Sequence, residues 1–555
     1  MVIFQARAIL TMNPMRPRAT HVAVRNGRIL AVGTLPELGI FGEAEIDRRF
    51  ADNVLMPGLV EGHCHLHEGG LWRFPYVGYF ARRAPDGTLW EGLKRVEDVV
   101  ARLAEAATKL VDPTQPLLAW GFDPIYFSSA RMTRRELDSV SPTRPIAVLH
   151  ASFHLMNVNS AMLDLAGITR DVEINGITRD SNGDPTGELC EFAAMFPVNR
   201  AIGNAFRAGG TSPQNIFNFA KVAQQSGVTT ATDLNNELSD ADLEALTQCA
   251  ADEAFPIRLV PVFRTLSALD AIESGIARVN KARSRSTDKL RIGGVKLVLD
   301  GSIQGFTARL RWPGYHNGSP NGIWVTPPTQ VPLLVERLHA AGFQLHIHTN
   351  GDEATELALD AIEQALARHP RWDHRHTLQH VQMASPAQYR RMAKLGVCAN
   401  IFANHIFYWG DQHYALTMGP HRAERMDGCG TAQRLGVPFA IHSDAPITPI
   451  GPLFTAWCAV NRRTASGRVL GEGERIEVEE ALYAITLGAA YTLKLDDEIG
   501  SIEVGKFADF CVLEDDPLTV APDALDRIRI WGTVLGGMVF SAPSGDGRRS
   551  AENEA

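Results

Sequence analysis

The chain has 555 residues, 45% hydrophobic and 21% charged, a globular balance at a length beyond one small core but sufficient for one large barrel with a satellite or two. Its net charge of -9, with no long Lys/Arg run, leaves no electrostatic footprint for nucleic acid or an anionic membrane, so neither is expected as a partner.

Residues 1–30 alternate apolar and charged groups without a signal-peptide core, and no run approaches the roughly 18 apolar residues of a membrane span. A cytoplasmic protein is expected. The seven cysteines (64, 190, 249, 398, 429, 458, 511) are odd in number and contain no C-x-x-C pair, which favours reduced structural thiols over a disulfide framework or a zinc ribbon.

Residues 2–9 and 21–33 read as alternating strands, the second pair turning at Asn26-Gly27, and 500–513 and 528–540 read likewise. The two chain ends are expected to share one small sheet. Between them lie eight short Val/Ile-rich runs, 59–65, 228–234, 257–264, 294–299, 343–348, 377–381, 397–401 and 437–443. Most are followed by a helical pattern, such as 331–341, 354–368 and 386–395, which is the alternation of a parallel α/β barrel. The first gap is too long for one crossover. Residues 68–215 carry their own apolar runs and a helix at 96–111, so they are expected to form an inserted subdomain over the mouth of the barrel. The Ser/Gly/Arg/Glu-rich tail 541–555 is expected to be disordered.

Chemistry gathers at the strand ends. After the turn at Pro57-Gly58, the period-two pattern of a strand throws His63 and His65 onto one face, where two imidazoles can grip one cation. Lys296 lies on the fourth run, His348 ends the fifth, His380 the sixth, and Asp444 follows the eighth. Four imidazoles and a carboxylate suit Zn2+, with Mn2+, Co2+, Ni2+ or Fe2+ as neighbours, and not the all-oxygen cages of Ca2+ and Mg2+. Lys296, flanked by Val295 and Leu297, is expected to lose charge on burial. Its amine could then add carbon dioxide to become a bridging carbamate, or instead remain an ammonium paired with Asp300 or Asp444.

These motifs resemble the amidohydrolase superfamily, and within it the branch of YtcJ-like and N-substituted formamide hydrolases. The resemblance spans nearly the whole chain: Pro57–Val60 into His63-x-His65; Gly121-Phe122-Asp123; Leu137-Asp138; His154 before Asn159-Ser160; Gly187 and Glu191; Gly227–Thr230; Lys296 before Asp300-Gly301-Ser302; His348 before Gly351-Asp352; His380; Ser443–Pro446; Arg462; and 500–509. It implies a (β/α)8 TIM-like barrel at 56–67 and 216–494 with a small β-sandwich built from 1–55 and 495–540. It further implies two metal ions, His63, His65 and Asp444 on the more buried one and His348 and His380 on the more exposed one, with carboxylated Lys296 between. Two departures stand beside the pocket. Thr349-Asn350 replace a small and an apolar residue, and His442 replaces a glycine.

The expected reaction is hydrolysis of a small-molecule amide, an N-acyl or N-formyl amine with an apolar or aromatic substituent. Asp444 would move the proton and His154 would polarise the carbonyl. Trp72, Phe127, Trp312, Phe402, Tyr408 and Trp409 are candidates for the apolar pocket. A mononuclear deaminase, a non-hydrolytic metal enzyme and a non-catalytic scaffold are the competing readings. Lys296 opposes the first and the intact ligand set the last. Nothing in the sequence opposes a homo-oligomer.

Overall fold

Strands buried on both faces have no polar side to show, and the chain contains eight in one curled parallel sheet. They are β1 (Leu59–Glu61), β2 (Val228–Asn236), β3 (Arg258–Arg264), β4 (Gly294–Val298), β5 (Gln344–Thr349), β6 (Thr377–His380), β7 (Cys398–Ile401) and β8 (Phe439–Ile441). Each sits within one of the expected runs or within two residues of it, and they pair in chain order from β1 to β8. The computed structural model describes residues 1–39, 44–127, 131–208, 212–265 and 271–542. The expected tail falls outside the described residues from 543 onward.

The hydrogen-bonded ladder stays open between β8 and β1. Just beyond the strand ends the seam is drawn together instead by a bridge between Cys64 and Ala445, with the His65 amide donating to the Ala445 carbonyl at 2.8 Å. The Glu61 carboxylate adds to it, accepting from the amide and hydroxyl of Ser443 at 3.1 and 2.7 Å. Helices pack outside. Pro386–Leu395 shows why they begin and stop where they do: Ser385 and Gln388 form a capping box at its start, and Gly396 takes the left-handed conformation at its end.

The chain ends build a second sheet of seven strands, in the order Met538–Ser541, Ile530–Leu535, Phe510–Leu513, Glu45–Pro57, Val2–Leu10, Arg18–Arg25 and Arg28–Gly33. Asn26 and Gly27, both at positive φ, turn the hairpin as expected. It is one continuous hydrogen-bonded sheet, not the two sheets of a sandwich. Its longest strand runs into β1 through Gly58, where a Cβ would meet the Thr229 hydroxyl oxygen at 1.9 Å, so only glycine fits. Between β1 and β2 the chain forms a third, five-stranded sheet from Ile177–Arg179, Pro185–Cys190, Leu155–Val158, Ile146–His150 and Leu117–Phe122, with apolar clusters of its own. No helix among the described residues is long and apolar enough to cross a membrane.

One buried ion pair ties the sheets of the two chain ends and the centre. Arg258, at the start of β3, donates to both carboxylate oxygens of Asp509 at 2.7 and 2.9 Å and lies over the Phe507 ring. Arg258→Met should leave Asp509 buried and unpaired and lower stability by about 3–5 kcal/mol, whereas the double variant with Asp509→Asn should recover a large part of that loss. Urea denaturation of the three proteins checks both outcomes.

Candidate metal centre

Parallel strands deliver their carboxyl ends to one rim, and side chains at matching heights on neighbouring strands meet there. Val298 on β4 pairs with His348 on β5, and Thr349 with His380 on β6. A cavity opens at this rim, and His63, His65, Lys296, His348, His380, Asp444 and His154 all line it. The His65 Nε2 lies 3.1 Å and the His63 Nε2 3.3 Å from the Asp444 carboxylate. His380 Nε2 is 3.0 Å from His348 Nδ1, and Lys296 Nζ is 3.4 Å from His63 Nε2.

Deeper hydrogen bonds set which nitrogen faces the cavity. His63 Nδ1 lies 2.7 Å from the Gln379 side-chain oxygen, which also accepts from the Asn400 amide, while the Gln379 amide donates to His346 Nδ1. His63 is therefore held with Nδ1 protonated and its Nε2 lone pair turned inward, the tautomer a metal ligand needs. His346 is spent on this support and does not line the cavity.

Electrostatics separate the imidazoles into two groups. Burial, with Lys296 and other histidines adding to it, holds His63, His348 and His380 well below the usual imidazole range, so they are neutral donors. Burial also opposes charge on His65, but the Asp233 and Asp444 carboxylates outweigh it and raise the group. For His154 the Glu191 carboxylate, 2.8 Å from Nδ1, reverses the effect of burial in the same way. Burial pushes Lys296 down to about 7, with Asp444 in opposition. Among the described residues Lys296 makes no ion pair with Asp300 or Asp444. Asp300 instead accepts from the backbone amides of Arg309, Asn350 and Gly351.

Several buried polar atoms lack a hydrogen-bond partner among the described residues: His65 Nδ1, His380 Nδ1 and both nitrogens of His442. Orphans of this kind cost free energy unless something outside the protein meets them. Ligating atoms of His63, His65 and Asp444 lie within 4.8 Å of one another, as do those of His63, His380 and His442. Nitrogen-rich donors with one carboxylate fit a divalent transition metal. His380, Asp444 and Glu191 also hold positive φ, a conformation that costs side-chain-bearing residues about 1–3 kcal/mol each and persists where surroundings enforce it.

The expected aromatic pocket is placed differently. Trp72 packs on Tyr76 and Trp120, and Phe127 on Phe122 and Tyr79, both in clusters of the inserted segment. Phe402 stacks on His442 behind the site, and Trp409 donates to Asp123 and stacks on His405. Tyr408 is buried, and Trp312 is 94% exposed. None of the six lines the cavity, because rings of this size were satisfied by packing elsewhere. Its walls are instead Leu149, Phe153, Phe192, Met195, Phe206, Leu234, Val298 and Ile447, with His67, Arg207 and Arg264. Two of these carried a signal: His67 continues the period of His63 and His65, and Arg264 ends the third expected strand as His348 ends the fifth. Phe192 and Arg207 lie in the insertion, where no periodicity points at the cavity. The departures also reach the site. Asn350 donates to the Gly301 carbonyl and contacts His348 Nε2, and His442 stacks on His63.

A family model described as the amidohydrolase family matches residues 51–540. Protein LONG AFTER FAR-RED 3 of Arabidopsis thaliana is 28% identical over 520 residues, 91% of this chain and 85% of that protein. N-substituted formamide deformylase of Arthrobacter pascens is 27% identical over 548 residues, 96% of each chain. Among solved structures, an uncharacterized metal-dependent hydrolase from Pyrococcus horikoshii OT3 superposes with a TM-score of 0.70 at 20% identity, covering 94% of this chain and 99% of that one, a likeness of fold.

Because Gln379 fixes the His63 ring, Gln379→Leu should weaken divalent-metal binding about 10–100-fold without unfolding the protein. Competition with a chromogenic chelator measures the affinity, and far-ultraviolet circular dichroism checks the fold.

Proposed function

Because the chain belongs to the amidohydrolase family, we propose that it hydrolyses the C–N bond of a small N-acyl or N-formyl amine. The observation that carries this reading is the convergence of His63, His65, Lys296, His348, His380 and Asp444 on one cavity. In our reading His63, His65 and Asp444 would hold one divalent ion and His348 and His380 a second, and Lys296, carboxylated, would serve both. Zinc suits these donors best, and Mn2+, Co2+, Ni2+ and Fe2+ share the preference. A metal held there would supply Lewis acidity, making a bound water acidic enough to ionise near neutral pH and polarising a carbonyl.

The chain's own groups do the rest. Asp444, within 3.3 Å of both His63 and His65, accepts the proton of the attacking water and returns it to the nitrogen as the C–N bond breaks and the new C–O bond forms. His154, steadied by Glu191, whose carboxylate raises its pKa against burial, donates to the carbonyl oxygen as negative charge develops on it. The apolar walls receive the remainder of the amide and exclude water. A relative named as a formamide deformylase supports an N-formyl substrate. A one-metal deaminase remains the competing reading, and Lys296 separates the two because such a site has no use for a bridging group.

His63→Ala, His65→Ala and Asp444→Asn should each leave less than roughly a tenth of wild-type turnover on N-formyl amines while the circular dichroism spectrum is unchanged. Chelation should inactivate the enzyme and Zn2+, Co2+ or Mn2+ restore it. Full turnover by a sample shown to be metal-free would end this reading.

A second test concerns Lys296, whose near-neutral pKa makes the uncharged amine available to carbon dioxide. Reconstitution should then require bicarbonate. Lys296→Ala should lose about one metal equivalent and most activity, part of both returning with acetate or propionate. An unmodified amine in a fully active enzyme holding one metal would favour the deaminase.

A further inference from the structure

The buried arginines among the described residues, Arg82, Arg258 and Arg462, all have partners. Arg82 pairs with Glu68, Arg258 with Asp509, and Arg462 donates to the carbonyls of Leu470, Asp427 and Met426. Two half-buried arginines in the cavity wall differ. Arg264 is the last residue of β3, in register with Lys296, and Arg207 comes from the inserted segment. Both guanidinium groups lie over the Phe192 ring, at 5.7 and 5.3 Å from its centroid. Among the described residues neither makes an ion pair, neither side chain makes a hydrogen bond, and the buried Arg264 Nε has no partner.

The groups around them do not neutralise the pair. Glu237 and Asp233 are near enough to be felt, yet Glu237 is exposed, and Asp233 accepts from Asn236 and faces His65 Nδ1 at 3.8 Å. His67, also beside Arg207, is kept neutral by burial. Burial and the like charge of Arg264 push Arg207 down to about 10. Two partly desolvated cations of the same sign facing one cavity are unfavourable unless an anion joins them.

We propose that Arg207 and Arg264 form a carboxylate-binding subsite, so that the amide hydrolysed here carries a carboxylate in addition to its scissile C–N bond. The inference rests on the proposed amide hydrolysis. The planar fork of guanidinium matches a carboxylate with two parallel hydrogen bonds, and the Phe192 face holds both forks against the cavity. The substrate class is therefore an N-formyl or N-acyl amino acid with an apolar body, not a neutral amide.

The test compares N-formyl-glycine, N-formyl-β-alanine and N-formyl-4-aminobutyrate with their terminal carboxamides on the metal-loaded enzyme. At least one acid should be preferred over its carboxamide by about 100-fold in kcat/KM, chiefly through KM. Arg264→Met and Arg207→Met should each lower kcat/KM for that acid at least about 10-fold more than for the carboxamide, and Arg264→Lys should retain part of the preference. Thermal melting of each variant guards against unfolding. Equal use of acid and carboxamide by the wild type, or equal losses on both in the variants, would overturn the subsite and leave the amide hydrolase standing. If no amide in the set is turned over, the hydrolase reading is in question, and calorimetric titration with glutarate and its monoamide decides the subsite. Tighter glutarate binding that Arg264→Met abolishes supports it, and indifference to the variant refutes it.

Discussion

Imidazoles, an amine and carboxylates drawn together out of water repel, orphan or neutralise one another, and the rest of this structure is arranged around that constraint. The strand ends supply the groups, and a layer beneath them fixes their form. Gln379 sets the tautomer of His63 and spends His346 in doing so, while Asp300 is occupied by three backbone amides and is kept from Lys296. What remains there is a set of nitrogen donors, of which His63, His348 and His380 are held neutral, with a carboxylate, an amine pushed down to about 7 and several polar atoms unmet. Such a set is poorly suited to stability and well suited to a cation.

The same constraint explains the seam. A parallel sheet whose first and eighth strands do not pair needs another way to hold its ends in register, and both strands carry metal-ligand candidates immediately beyond it. Glu61 answers this with two hydrogen bonds to Ser443, and the His65 amide with one to Ala445. Burial raises Glu61 to about 8, although Ser443 pulls it down, so the clasp lies between groups that are both able to be neutral near physiological pH. Position along the strands and position of the ligands are thereby set by the same few atoms.

Much of this was legible in the chain. All eight strands follow from short runs rich in apolar residues, and six of the seven lining residues, His63, His65, Lys296, His348, His380 and Asp444, follow from reading those runs and their ends, whereas His154 came from the family resemblance alone. The aromatic pocket was not legible. Trp72 and Phe127 sit in the insertion, whose apolar residues are committed to clusters of its own, and local sequence does not say which of two faces a ring will take. Arg264 was within reach, since it ends a strand as His348 does, but nothing in sequence shows that its partner is missing. The chain ends share one continuous sheet, as their alternating segments suggested, where the family resemblance implied a two-sheet sandwich, because strand Glu45–Pro57 pairs on both sides and joins the N-terminal strands to those from the C-terminus.

The two sources of the cavity wall divide the labour. Residues on the curled sheet are fixed by ladders that a substitution cannot shift without disturbing neighbours, and they supply the ligand candidates. The inserted segment supplies His154, Phe153, Phe192, Met195, Phe206 and Arg207, and its packing is largely its own. A change there can reshape what the cavity admits without moving a ligand-bearing strand, whereas a change at Arg264 acts from within the sheet, at the position in register with Lys296. Chemistry is therefore tied to the sheet's geometry and selectivity to the segment that covers it, which follows from loops after parallel strands tolerating insertion where the strands themselves do not.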